Sequence, residues 1–420
     1  MLSRWQWLLA QFARRLWVRV TLFSIAAVFS ALLGTILEPF IPGEILTQVG
    51  ADALDNILGI LASSMLAVTT FSLTTMVTAY TAATSNATPR SSQLLMDDPT
   101  TQNTLGTFIG SFVFSLVGII LLSTEAYGEN GRLVLFFVTI FVIILIVVTL
   151  LRWIDYLSKV ARVSEVTDKV EASATRALEN RMKRPYLGGR PLRDPEIELP
   201  ADTVPVQDER IGYVQHIDIA AIDTCAAEHG GRVFVLVWPG KFVDPSRPLA
   251  RVSGIDDAKL LDNIAKSFTI GDQRSFDQDP RFGLCVLAEI ASRALSPGIN
   301  DPGTAIDVIG SGVRILAKWP ADDDHGADDE VEFPHVFVPA LLADDLFDDF
   351  FSPIARDGAR LVEIQIKLQK AFSTLGALGG PPLAATVQRH TTRALAHAEA
   401  ALVLDEDKRA VRDLAARLAP

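Results

Sequence analysis

Leu133-Val-Leu-Phe-Phe-Val-Thr-Ile-Phe-Val-Ile-Ile-Leu-Ile-Val-Val-Thr-Leu-Leu151 contains no Asp, Glu, Lys, Arg or His. A helix needs about 20 apolar residues to cross a hydrocarbon core, and this run is near that length. Val20–Leu37, Asn56–Pro89 and Thr100–Thr124 are equally free of Asp, Glu, Lys and Arg. We read four transmembrane helices, at about 18–37, 56–83, 102–123 and 133–153, in a transmembrane domain over residues 1–155. The first is not a cleavable signal, because it ends in Ile36-Leu37-Glu38-Pro39 with no small-residue cleavage site and more spans follow.

The charges set the orientation. Arg4, Arg14, Arg15 and Arg19 precede the first span, whereas the loop after it carries Glu38, Glu44, Asp52 and Asp55 with no Lys or Arg. Arg152, Lys159 and Arg162 follow the fourth span. The positive-inside rule places both termini in the cytoplasm, with Trp5, Trp7, Trp17, Trp153 and Tyr156 as an interfacial belt on that face. The whole chain of 420 residues is 49% hydrophobic and carries a net charge of −12, which excludes a disordered protein and a phosphate-tracking nucleic-acid binder. Cys225 and Cys285 are too few for a disulfide scaffold, and no Cys/His cluster has zinc spacing.

The remainder is less apolar and predicts a cytoplasmic α+β domain. Residues 156–205 read as a helical stalk continuing the fourth span, then a Pro/Gly linker through Pro185, Gly188, Gly189 and Pro205. Residues 206–255 read as a small β-barrel-like module, since short alternating runs are separated by Gly230-Gly231 and Pro239-Gly240. Residues 256–420 read as mostly helical. Asp279-Pro280 and Asp301-Pro302 start two helices there, Asp322–Glu332 is a solvated acidic loop, and two long helices break at Gly379-Gly380-Pro381-Pro382.

Arg293-Ala-Leu-Ser-Pro-Gly-Ile-Asn-Asp-Pro-Gly-Thr-Ala resembles a hallmark of the bacterial membrane proteins grouped as domain of unknown function 2254. Gly212-Tyr-Val-Gln-His-Ile-Asp, Pro239-Gly-Lys-Phe-Val and Gly271-Asp-Gln-Arg-Ser-Phe-Asp-Gln-Asp-Pro are similar to further pieces of it. So are Thr69-Thr-Phe-Ser-Leu-Thr and Thr100-Thr-Gln-Asn-Thr-Leu-Gly. The resemblance implies an inner-membrane protein with a cytoplasmic domain and supplies no activity. The chain departs from it at Lys241, in place of an acidic residue, and at Gly303, in place of an aromatic one.

At about 100° per residue, Asn56, Gly59, Ser63, Ala67, Thr70, Thr74, Thr78, Thr81 and Ser85 share one face of the second span. Such a stripe either lines a hydrated path or lets helices approach closely. Gly106, Gly110 and Ser111 in the third span have the spacing of a helix-packing motif. No ionisable residue lies mid-membrane, which disfavours an ion-coupled pump.

Beyond the spans, Arg274, Asp279, Arg293, Asn300 and Asp301 are either an anion or ligand site at two helix starts or simple caps with an internal ion pair. Asp344, Asp345, Asp348 and Asp349 resemble a magnesium-binding acidic pair, against the plainer reading of a helix start favoured by the dipole. His390 and His397, two turns apart, are expected at the surface. No nucleophile–base pair, phosphate loop or metal motif points to an enzyme, and neither catalytic residues nor cofactors are expected. Two functions remain. One is a homo-oligomeric channel for ions or small solutes, with the cytoplasmic domain as vestibule or gate. The other is a non-transporting sensor or scaffold whose cytoplasmic domain binds a ligand or protein.

Overall fold

The computed structural model describes residues 3–37, 51–96, 98–124, 126–160, 162–194, 198–320 and 331–417. Glu38, Glu44 and most of the acidic run Asp322–Glu332 lie outside them. The chain divides into two compact units, one of residues 8–166 and one that joins residues 3–7 to residues 167–417.

The first unit is helical. Helix α1 (Arg4–Ala13) enters it, followed by α2 (Leu16–Leu37), α3 (Ala51–Asn86), short α4 (Ser92–Met96), α5 (Pro99–Ser123) and α6 (Glu129–Val160). Among the described residues α2, α3, α5 and α6 are long and apolar enough to cross a membrane. Their common core holds Leu54, Leu58 and Met65 of α3, Phe108 and Phe114 of α5, and Leu135 and Ile146 of α6. Helix α5 starts where Asp98 accepts from the Thr100 amide at 2.7 Å and Pro99 occupies the first turn. Gly106 and Gly110 bring α5 against α2: a Cβ on Gly106 would lie 2.8 Å from the Phe23 ring, and one on Gly110 3.2 Å from the Phe23 carbonyl. Ser111, also buried, donates to the Thr107 carbonyl at 2.7 Å.

The fourth span does not continue into a stalk. Helix α6 ends at Val160 and a separate helix, α7 (Val163–Lys183), begins three residues on. Nor is the following proline-rich stretch only a linker, for it contains β1 (Gly189–Leu192) and β2 (Val204–Val206). Next come β3 (Gly212–Ile217), α8 (Ile219–Glu228), β4 (Arg232–Val235), β5 (Phe242–Val243), β6 (Ala250–Ser253), α9 (Ala258–Lys266) and β7 (Phe268–Gly271). Helices α10 (Pro280–Ala294) and α11 (Pro302–Leu316) lead to β8 (Phe333–Pro339), then α12 (Ala343–Asp357), α13 (Val362–Ala401) and α14 (Asp405–Ala416).

These strands form no closed barrel. One sheet has the order β1-β8-β4-β6-β2 and the other β5-β3-β7. The expected module of residues 206–255 is incomplete alone, because β4 needs β8, about a hundred residues later, as its parallel neighbour. Val233, Val235 and Val252 meet Val336 and Val338 in the core, under Ile222 of α8. In α13, Gly380 adopts φ 58° just before Pro381-Pro382, so the helix bends at the expected break.

Candidate functional site

The hydroxyl stripe of α3 lies on the outside of its unit. Asn56, Ser63, Ala67, Thr70, Thr74, Thr78, Thr81 and Ser85 are exposed, and a Cβ on Gly59 would meet nothing within 4 Å. Leu54, Leu58, Ala62, Met65, Met76 and Ala83, on the opposite face, carry the packing. Close approach of α3 to its own bundle therefore does not use the stripe. Each hydroxyl returns its proton to its own helix: Ser63 donates to Gly59, Thr70 to Leu66, Thr74 to Thr70 and Thr78 to Thr74, all at 3.0 Å. Thr81 donates to the Val77 carbonyl at 2.8 Å. The donors are satisfied while oxygen lone pairs stay outward.

In the second unit, three sequence pieces that lie far apart in the chain converge on one small sheet. Gly212–Ile217 is β3, pairing antiparallel with β5 from the Pro239-Gly-Lys-Phe-Val piece and with β7, from which Gly271 leads towards Asp279. Gly240, at φ +91°, lies so close to Asp279 that a Cβ would collide with its carboxylate at 2.0 Å. Asp279 takes Arg274 Nε at 2.8 Å and Nη2 at 3.0 Å, and caps α10 by accepting from the Phe282 amide at 3.1 Å. Lys241 Nζ sits 4.4 Å from the Trp238 ring centroid. The chain's first described residues dock here too. Trp7 stacks on His216 with centroids 5.2 Å apart, and its indole N–H donates to Asp277 at 2.9 Å. The Arg4 amide donates to Asp218 at 2.5 Å.

Of the expected aromatic belt, Trp7 is buried by this docking, Trp153 is buried in the core of the first unit with half-buried Tyr156 stacked on it, and Trp5 and Trp17 are exposed. The proposed anion clamp is also divided. Arg274 and Asp279 stand at the start of α10, whereas Arg293 is in its last turn and Asn300 and Asp301 follow it. Fifteen residues at about 1.5 Å rise separate the groups by about 20 Å, too far for one small anion. Asp301 is exposed and caps α11, accepting from the Thr304 amide at 3.1 Å, and Asn300 has φ 52°.

Arginines engage the acidic pairs. Arg281 meets Asp349 at 2.6 Å and Asp345 at 2.8 Å, Arg389 and Arg393 each reach Asp348 at 3.1 Å, and Thr386 donates to Asp344. Among the described residues no His, Cys, Asp and Glu group is arranged to hold a metal. An open groove of about 280 Å³ beside these pairs is lined by Asp348, Asp349, Ser352, Pro353, Arg356, Arg393 and His397. His390 is not a surface residue. It is 2% exposed, its ring 5.5 Å from Phe347 and 6.1 Å from Phe372, with Nε2 3.5 Å from Asp348. Burial, helped by the Arg389 charge, pushes its imidazole down to about 4. Burial pushes the Cys285 thiol up to about 11, so it is not a thiolate at neutral pH. Periodicity could not have found His390, because its surroundings are Phe347 and Phe351 of α12 and Phe372 from the other side of the α13 bend.

Four helices long and apolar enough to cross a membrane, followed by a two-sheet α+β unit, define the class: a membrane-type protein that carries a second, α+β unit. A family model described as predicted membrane protein (DUF2254) matches residues 13–374, and the chain belongs to that family. Uncharacterized proteins of Mycobacterium bovis and Mycobacterium tuberculosis are each 27% identical to it over 253 residues, covering 57% of this chain and 47% of theirs. The chain thus matches about half the length of these curated relatives. No solved structure matches it.

Proposed function

We propose that the chain forms a homo-oligomeric channel in a bacterial inner membrane, passing ions or small solutes along α3, with the following domain as vestibule or gate. The observation that carries this reading is the outward placement of the α3 stripe, which its own bundle leaves uncovered. A symmetric ring of copies turns those faces inward. Hydroxyls that donate hydrogen bonds to carbonyls one turn back keep oxygen lone pairs to replace part of a permeant's water shell. Phe71, Leu66 and Val77, exposed beside the stripe, supply apolar surface for the neighbouring copy or lipid. The partners are the bilayer and further copies of this chain, and the reading calls for no nucleic acid, cofactor or enzymatic step.

The test joins particle mass to conductance. Purified full-length chain should be an oligomer by light scattering and should conduct in planar bilayers. Thr70→Leu or Thr74→Leu should lower unitary conductance severalfold while leaving the mass unchanged. A monomer, or an oligomer whose conductance ignores both substitutions, overturns the reading and leaves the sensor or scaffold.

A further inference from the structure

Helix α1 has two unlike faces. Trp7 is 3% exposed, held by His216 and Asp277, whereas Trp5, Leu9 and Phe12 share the other face and are 76%, 63% and 45% exposed. Positions i, i+4 and i+7 make one continuous apolar stripe on a helix. Ten residues rise only about 15 Å, far too short to cross a bilayer, and a span begins three residues after the helix ends. The layer next to this helix is therefore the headgroup region, where a short amphipathic helix buries one face and keeps the other in water.

The charges fit the same layer. The chain as a whole carries −12, yet residues 1–37 contain Arg4, Arg14, Arg15 and Arg19 and no Asp or Glu. Arg14 and Arg15 are exposed, the Arg15 guanidinium lies 5.9 Å from the Phe12 ring, and Phe12 meets Trp17 edge-on at 5.2 Å. Arginine beside aromatic rings at the start of a span is placed to pair with phosphate while the rings sit among glycerol and upper acyl carbons.

We infer that α1 lies in the plane of the membrane surface and binds anionic phospholipid headgroups, through Trp5, Leu9 and Phe12 inserted on one face and Arg14 and Arg15 paired with phosphate. The opposite face, through Trp7, holds the domain that follows the spans. The inference is independent of whether the chain conducts.

The experiment uses full-length chain with Cys225→Ser and Cys285→Ser, and one new cysteine carrying an environment-sensitive fluorophore. Leu9→Cys reports on the apolar face, Phe12→Cys repeats the reading if the first variant does not fold, and Thr392→Cys, at an exposed position of α13, is the water control. Vesicles contain phosphatidylcholine alone or with about one-third phosphatidylglycerol, plus a lipid with a nitroxide at headgroup depth. The Leu9 label should be shielded from iodide and quenched by the nitroxide lipid about twofold or more, and the Thr392 label should show the reverse. Adding Arg14→Gln and Arg15→Gln should reduce nitroxide quenching in phosphatidylglycerol vesicles to the level in phosphatidylcholine. A Leu9 label as open to iodide as the Thr392 label overturns the inference. So does one shielded from iodide yet untouched by nitroxide, which means a protein neighbour, and so does quenching indifferent to both arginine substitutions.

Discussion

Asp279 and Asp301 have the same local sequence, each preceding a proline that opens a helix, yet their surroundings give them unequal weight. Asp279 is 1% exposed and holds Arg274 as well as the cap, whereas Asp301 faces water and holds the Thr304 amide and hydroxyl but no cation. Asp301→Ala should cost about 0.5–2 kcal/mol, the value of a lost cap. Asp279→Ala strands a mostly buried guanidinium and should cost about 3–5 kcal/mol. Denaturant midpoints of the detergent-solubilised variants check the ranking. The caps were legible because Asp-Pro is a local signal. His390 was not, since Phe347, Phe351 and Phe372 reach it only through tertiary packing. Its depressed imidazole stays neutral in the folded chain while the unfolded chain takes a proton below 6.5, so the unfolded state binds more protons. Stability should fall as pH drops from 6.5 to about 4, and at about 1.4 kcal/mol per pH unit that window is worth about 3 kcal/mol. Asp348, held low against the pull of burial by the Arg389 hydrogen bond and charge, adds its loss only below the ordinary carboxylate range. Unfolding His390→Leu between pH 4 and 6.5 should give a flatter profile than the unsubstituted chain.

Among elements, the transmembrane glycines separate into packed and open positions. A side chain on Gly110 runs into the Phe23 backbone, which cannot swing away, while Gly59 faces open space on α3. Gly110→Leu should therefore destabilise the α2–α5 contact by about 1–3 kcal/mol, the usual cost of overpacking. Gly59→Leu should leave the protomer's thermal midpoint in detergent unchanged. Comparing those midpoints checks both. Spans of this length and apolarity can be read directly, because the bilayer requires about 20 uninterrupted apolar residues whatever the tertiary fold. The sheets were only half legible. β8 carries Pro334 and Pro339 at its ends and pairs in parallel with β1 and β4, so neither local alternation nor a hairpin turn announces it. Helix α8 was hidden between two strands in a run of alanines, started by Asp218 accepting from the Ala221 amide at 3.1 Å. The α3 stripe was legible as a face, but its outward direction depended on which other helices pack on the opposite side.

At the scale of the whole molecule, a short aromatic contact constrains topology. Residues 3–7 pack in the same unit as residues 167–417, with Trp7 stacked on His216. The segment before the first apolar helix and the domain after the fourth must then share one side of the bilayer, and only an even number of crossings permits that. Four crossings, the number of helices long and apolar enough, would meet that requirement, and the arginines at both ends of the set predict the cytoplasmic side. A position between α5 and α6 should face the opposite compartment. In a chain lacking its native cysteines, Ala126→Cys should react with a membrane-impermeant maleimide in intact cells with the outer barrier opened. Asn180→Cys, exposed on α7, should react only after the inner membrane is permeabilised. If Asn180→Cys labels first and Ala126→Cys stays shielded, the orientation is inverted. If both label in intact cells, one apolar helix does not cross, and Trp7 cannot remain on His216 in the membrane-inserted chain.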